Sequence, residues 1–295
     1  MYILFYNPYA GSGLFASQLD DIISRFQSEK KVLVPHRLGD EILTEKFVKS
    51  LNWDNIEKII IAGGDGTINQ VLNTLLKKEI NKPIAIFPVG TANDFSKMLN
   101  ISDDLDEMIE IALEDHYMPC DIGKANDRYF VNVASFGNLV EVGQKVNPQT
   151  KTTLGVLAYY IKGIEELPKL KPVRVKFITE SRNYEDDVFF ALIMNGKSAG
   201  GFRKLSPKSD VQDGLFDIVI FKKCPLIEIM PLLLQVWNGE HPKSIYIEYF
   251  KAKAIEIYAE QTLSSDLDGE SGPMLPLKIE NISQKLLVNV KSTNL

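Results

Sequence analysis

The run Gly63-Gly64-Asp65-Gly66-Thr67 joins an apolar strand, Lys58–Ala62, to an amphipathic helical stretch. Its three glycines let main chain approach a ligand within hydrogen-bonding distance and adopt positive φ. The helix start behind them offers N–H groups and the positive end of a dipole, which suits phosphate. An aspartate at that spot would repel an anion unless a divalent cation stood between them, so Asp65 is the metal-side residue. Two more turns end apolar strands in the same way. Asn7-Pro8-Tyr9-Ala10-Gly11-Ser12-Gly13 follows Tyr2–Tyr6, and Gly90-Thr91-Ala92-Asn93-Asp94 follows Pro83–Phe87. Thr91, Asn93 and Asp94 are also N-cap types, so capping is the structural alternative for each turn taken singly.

Other phosphate motifs fit less well. Gly11-x-Gly13-x-x-Ala16 matches a dinucleotide fingerprint loosely, but the expected acidic residue closing the second strand is missing; Val34-Pro-His-Arg-Leu38 stands there. There is no Walker A lysine. His36, His116 and His241 are scattered and make no zinc pattern.

The second half supplies carboxylates. Asp210-Val-Gln-Asp213-Gly214-Leu215 places two aspartates three apart before a strand, a spacing able to wrap carboxylates and a main-chain carbonyl around a hard cation. Asp268-Gly269-Glu270 is a second acidic turn, where an aspartate near a transferable phosphoryl group would take the proton of an acceptor hydroxyl. Each Asp-Gly pair is equally a hairpin turn.

The elements that must position these groups change grammar along the chain. Up to about Asp121, apolar strands, glycine turns and helices alternate, including a second short strand at Lys31–Val34. The helices carry Phe15, Leu19, Ile22, Ile23 and Phe26, and then Ile68, Val71, Leu72, Leu75 and Leu76, on one face. That pattern predicts a parallel sheet covered on both faces, with ligands at the strands' carboxyl ends. Strands then dominate: Tyr129–Ala134, Val173–Ile178, Val188–Asn195, Leu215–Phe221, Ala254–Tyr258 and Lys285–Val290, with helices near Leu154–Leu167 and Leu226–Trp237. The fold expected is α/β: an N-terminal parallel-sheet nucleotide-binding domain, residues 1–122, and a mostly antiparallel β-rich sandwich domain, residues 123–295. The last residues are expected to return to the first domain, and the active site to lie in the interdomain cleft.

Composition fits a soluble globular chain: 295 residues, 45% hydrophobic, 24% charged, and no apolar run of membrane-spanning length. The start lacks a basic segment and reads as a strand rather than a signal peptide. Cys120 and Cys224 form no CxxC pair, and a cytoplasmic location is the expectation. The net charge of −6 argues against nucleic-acid binding. It divides into −8 for residues 1–122 (11 Lys/Arg, 19 Asp/Glu) and +2 for the rest (22 and 20); the second half is the better suited of the two to an anionic membrane surface, though charge alone favours a chance asymmetry of two solvated surfaces.

Taken together, Asn7-Pro8 with Gly11, Gly63–Asn69, Pro88–Phe95, Asp121-Ile-Gly123, Asp210-x-x-Asp213-Gly214 and Asp268-Gly-Glu270 closely resemble the diacylglycerol-kinase catalytic family, in particular its soluble bacterial lipid kinases. NAD kinases and sphingosine kinases share the GGDGT turn. The resemblance implies a kinase using ATP and Mg²⁺ to phosphorylate the primary hydroxyl of a membrane lipid, most simply diacylglycerol. An NAD kinase-like enzyme on a soluble acceptor and a non-catalytic nucleotide- or lipid-binding regulator are the alternatives. It implies nucleotide contacts at Asn7, Gly11, Ser12, Gly63, Gly64, Asp65, Gly66, Thr67, Asn69, Gly90, Thr91 and Asn93, and a water-mediated approach of Asp65 to the catalytic ion. Asp210, Asp213 and the Leu215 carbonyl would hold a second ion, Asp121 with Asp94 would belong to the connecting network, and Asp268 with Glu270 would provide the base. A lipid acceptor implies transient contact with an anionic membrane; the amphipathic stretch Leu154–Leu167, with Lys162 and nearby Lys169 and Lys171, is a candidate docking surface or equally a core-packing helix, and a homodimer is compatible with the pattern. Gln70 departs from the family's usual glutamate.

Overall fold

The computed structural model describes residues 1–137, 171–199, 202 and 204–292. The helical stretch at 154–167 lies outside them. The chain divides into two units: Met1–Cys120 with the C-terminal stretch from Gln284, and Asp121–Ser283.

In the first unit, β1 (Tyr2–Tyr6), β2 (Leu33–Arg37), β3 (Lys58–Gly63) and β4 (Ile84–Pro88) form a parallel sheet in the order β4-β3-β1-β2. Every residue of β3 and β4 is buried, as a sheet covered on both faces requires. The second strand sits two to three residues later than the sequence pattern indicated and includes Pro35. Its place at the sheet edge explains the tolerance, because an edge residue can lack an N–H without breaking a ladder. The helices α1 (Leu19–Ser28), α2 (Glu41–Ser50), α3 (Asp65–Leu76), α4 (Asp94–Met98) and α5 (Leu105–Leu113) connect the strands. Phe15, Ile22 and Phe26 join Leu4, Ile60 and Phe87 in one core cluster. Lys58 is buried, and its ammonium donates to the carbonyls of Ala112 (2.8 Å) and Glu114 (2.5 Å) at the end of α5. Desolvation lowers its pKa from the ordinary lysine value; the adjacent Asp115 opposes that shift.

The second unit is antiparallel. Its strands are the latter part of β5 (Tyr117–Ala125), β6 (Arg128–Phe130), β7 (Val133–Gly137), β8 (Val173–Thr179), β9 (Asn183–Met194), β10 (Phe216–Lys222), β11 (Ile247–Ala252), β12 (Ala254–Ala259), β13 (Ser264–Leu267), β14 (Glu270–Met274) and the start of β15 (Leu277–Asn289). The long β9 pairs with β8 through its first half, with β7 through its second, and with β10 on its other edge. Phe130, Phe136, Phe177 and Phe216 lie in the main core. A further helix, α6 (Leu226–Asn238), packs Ile229, Leu232 and Val236 into a second cluster with Val219 and Phe221. The single strand expected over Tyr129–Ala134 is instead two, interrupted at Val131-Asn132. Among the described residues no helix is long and apolar enough to cross a membrane.

Candidate active site residues

Because β4, β3 and β1 are adjacent and parallel, the three turns that follow them emerge on one edge of the first unit's sheet. They interlock by backbone contact. A Cβ on Gly11 (φ +55°) would lie 2.2 Å from the Val89 carbonyl oxygen, and one on Gly90 would lie 2.3 Å from the Gly64 Cα. Asn7 fastens the first turn to the second. Its Nδ2 donates to Thr67 Oγ1 (3.3 Å), its N–H donates to the Ala62 carbonyl (3.0 Å), and its Oδ1 accepts the Tyr9 N–H (3.0 Å).

Asp65 fastens the second turn to the third. Its two carboxylate oxygens accept the N–H groups of Asp94 and Phe95, each at 3.1 Å. The short α4 is therefore capped by a residue from α3. Asn93, in the N-cap position, has left-handed backbone (φ +52°) and turns its Nδ2 back to the Pro88 (2.8 Å) and Gly90 (3.0 Å) carbonyls. Its Oδ1 is buried without a hydrogen-bond partner. Buried acceptors are almost always satisfied, so this orphaned oxygen, on the same sheet edge as Asp65, is a polar atom there that a bound group could engage. Gly63 ends β3, and Gly66 lies in the first turn of α3 after Asp65; Ser12 and Thr91 are exposed, and Asn69 is buried with its main-chain and side-chain oxygens both receiving Asn73 Nδ2 at 3.0 Å.

In the second unit, one hydrogen-bond network collects the acidic candidates. Asp268 and Gly269 both have positive φ (+55° and +89°) and form the two-residue turn between β13 and β14, the geometry Asp-Gly favours. The Asp268 carboxylate also receives the N–H groups of Val131 (2.7 Å), Asn132 (2.9 Å) and Val133 (2.9 Å), which is why the strand breaks there. Asn195 N–H donates to the Asn132 carbonyl (2.8 Å), while Asn195 Nδ2 donates to the carbonyls of Val131 (2.8 Å) and Asp121 (2.9 Å). Asp121, fully buried, accepts the Gly214 N–H at 2.7 Å and donates its own N–H to the Val211 carbonyl at 2.7 Å. Asp268, Asp121 and the Asp210–Leu215 loop are thus tied together through Asn195. Glu270 is exposed at the start of β14.

The loop itself carries a positive charge of the protein's own. Asp210 Oδ1 accepts the Gln212 N–H (3.0 Å), and Asp213 Oδ1 accepts the Leu215 N–H (2.9 Å). Asp213 Oδ2 meets the Lys251 ammonium at 2.7 Å. That ammonium also lies 3.2 Å from the buried Asp217 and donates to the Lys208 carbonyl (3.0 Å). Desolvation works against its charge, but the Asp213 hydrogen bond and the Asp217 charge outweigh it, and the Lys251 pKa is raised. Asp217 further accepts from Ser209 Oγ (3.0 Å) and Tyr249 OH. Among the described residues no three His, Cys, Asp or Glu side chains stand close enough to hold a metal by themselves. Sequence reasoning missed Asn195, Lys251 and Asp217. Asn195 directly follows the apolar end of β9, Asp217 lies inside the apolar run of β10, and Lys251 stands 38 positions from its partner, so no local motif marks them.

The first unit thus carries three glycine turns on one edge of a parallel sheet, and the second carries an ordered acidic network in an antiparallel sheet. Residues 1–125 match the diacylglycerol kinase catalytic domain, and residues 132–290 match the YegS C-terminal NAD kinase beta sandwich-like domain. The chain is 33% identical to a diacylglycerol kinase of Staphylococcus carnosus over 99% of its length and 97% of the relative's. It is 34% identical to a diacylglycerol kinase of Bacillus subtilis over 97% of its length and 94% of the relative's. A solved structure from Bacillus anthracis str. Sterne superimposes with a TM-score of 0.84 at 28% identity, covering 99% of this chain and 95% of that one. The chain belongs to the diacylglycerol kinase family, and it is a kinase that phosphorylates an alcohol.

Proposed function

We propose that the chain transfers the γ-phosphoryl group of ATP to the primary hydroxyl of diacylglycerol, giving phosphatidic acid, as a cytoplasmic protein that visits an anionic bilayer. The observation that supports this reading is the Asp65 link between two glycine turns on one edge of the parallel sheet. The names of the relatives supply the acceptor. Asp65 and the orphaned Asn93 Oδ1 would hold Mg²⁺ through water. Bound there, the ion would offset charge on the transferred phosphoryl oxygens. The glycine turns bind and orient the phosphates, and Asp268 or Glu270 takes the hydroxyl proton. Labelled ATP with diacylglycerol in mixed micelles should yield phosphatidic acid. Phosphorylation of NAD in its place would move the chain to the soluble-acceptor branch, and no ADP with any acceptor would make it a regulator.

A second ion at Asp210, Asp213 and the Leu215 carbonyl would have to take Asp213 from Lys251. Lys251→Met leaves the buried Asp217 without its cation but with its Ser209 and Tyr249 hydrogen bonds, and should cost roughly 1–3 kcal/mol in urea unfolding. We expect millimolar MgCl₂ to restore most of that loss while changing the unaltered protein little. A variant that MgCl₂ does not stabilise would assign the cation role there to Lys251 alone.

A further inference from the structure

We infer that α6 docks on an anionic lipid bilayer through a second apolar face that the fold leaves uncovered. At 3.6 residues per turn, Leu226, Trp237, Met230, Leu234 and Ile227 fall within an arc of about 100°. All five are exposed, Ile227 at 81% and Trp237 at 65%. The core-facing residues Ile229, Leu232 and Val236 centre about 140° away around the helix. A surface helix needs one apolar stripe to hold it on its domain. This one has two; among the described residues the second makes a ring contact only through Trp237, edge-on to Phe202. Ile245, 76% exposed, lines a separate groove with Glu228, Pro231, Leu232 and Gln235 on the flank of the helix away from this patch. Scattered apolar residues on a surface are ordinary, but a contiguous set of this size marks a surface that meets something.

Charge and residue type identify the occupant. Lys222 and Lys223 precede the helix and Lys243 precedes Ile245. Lys204 lies alongside the helix end, its Cδ 2.9 Å from where a Gly239 Cβ would be. These four lysines thus stand close to the helix in the chain or, for Lys204, in space, while Glu228 lies on the helix and Glu240 just past its end. Aliphatic residues with a tryptophan at one end and lysines around the edge are the pattern of a helix lying in a bilayer interface, where apolar burial and attraction to anionic headgroups add. The inference rests on the reading that the acceptor is a bilayer lipid, which such a face would bring the enzyme to.

The test uses the full chain and sedimentation with phosphatidylcholine vesicles, with and without phosphatidylglycerol, in the absence of nucleotide. Binding should be much stronger to the phosphatidylglycerol vesicles. In a Trp53→Phe background, Trp237 emission should shift to the blue on binding. Leu234→Glu with Trp237→Glu should cut the bound fraction at least tenfold while leaving the unfolding midpoint and turnover of a short-chain, water-soluble diacylglycerol unchanged. Lys222→Ala with Lys223→Ala should weaken only the phosphatidylglycerol-dependent part. Failure of the unaltered chain to bind, or undiminished binding by the double glutamate variant, overturns the inference. So does a change from dimer to monomer in that variant, which would give the face to a second copy of the chain. Vesicle binding without turnover of any diacylglycerol would instead overturn the proposed activity and leave the docking face standing.

Discussion

Replacing Asp268 with asparagine is expected to lower turnover by about 10²–10⁴-fold and stability by about 2–3 kcal/mol. The two losses have different origins. Asparagine tolerates left-handed backbone, so the φ of +55° at this position is not the difficulty. The difficulty is that three N–H groups, from Val131, Asn132 and Val133, point at the two carboxylate oxygens. An amide offers one acceptor oxygen and an NH₂ group that can only donate. With its oxygen toward Asn132 and Val133, the NH₂ opposes the Val131 N–H and leaves it unsatisfied. The turn between β13 and β14 then loosens, and with it the segment that Asn195 connects to Asp121. Glu270→Gln is the companion variant, because Glu270 is exposed. A loss of turnover there at unchanged stability would place the base at Glu270. Near-normal turnover by Asp268→Asn, with the stability loss present, would leave Asp268 as a positioning residue only.

This residue also shows how far the sequence could be read. Asp-Gly announces a hairpin, and the hairpin is there, because that preference is a property of two adjacent backbones. The carboxylate's partners stand 135 to 137 residues earlier, inside what reads as an uninterrupted strand, and nothing in Tyr129–Ala134 marks the two residues that leave the ladder. The glycine turns were legible for the same local reason, and the parallel sheet behind them followed from continuous apolar strands. Asp65 was legible as chemistry but not as architecture. Its role in capping α4 depends on Asp94 and Phe95 N–H groups that only the adjacency of β3 and β4 brings within reach. Thr91, Asn93 and Asp94 all look like caps for α4, and the cap comes instead from another helix. Lys251 was illegible altogether. A lysine on a strand reads as a solvated face until β10 and β11 pair and set it opposite Asp217.

Gly90→Ala is the second substitution with a large expected effect, and it probes the other unit without touching any charge. The alanine methyl would stand 2.3 Å from the Gly64 Cα, 2.6 Å from Asn93 Oδ1 and 2.9 Å from the Gly64 nitrogen. Two of these three atoms are main chain, so no rotamer change relieves the contact, and the third and second turns must separate. Separation by about an ångström would stretch both hydrogen bonds that Asp65 accepts from the start of α4 past useful length, since each is already 3.1 Å. Overpacking of this kind costs roughly 1–3 kcal/mol, which a core containing Phe15, Ile60 and Phe87 should survive. Function should suffer more than folding. A displacement of about 1 Å in groups that orient a reacting phosphate lowers rate by about 10²-fold, and weaker nucleotide binding should accompany it. Folded Gly90→Ala protein, verified by its unfolding transition, should therefore need much more ATP for half-saturation and turn over far more slowly. A Gly64→Ala variant should be milder, because its methyl meets the Gly90 Cα at 3.2 Å rather than 2.3 Å. That ranking follows from backbone distances alone, so wild-type-like kinetics in Gly90→Ala would mean that the turn after β4 does not carry the nucleotide phosphates.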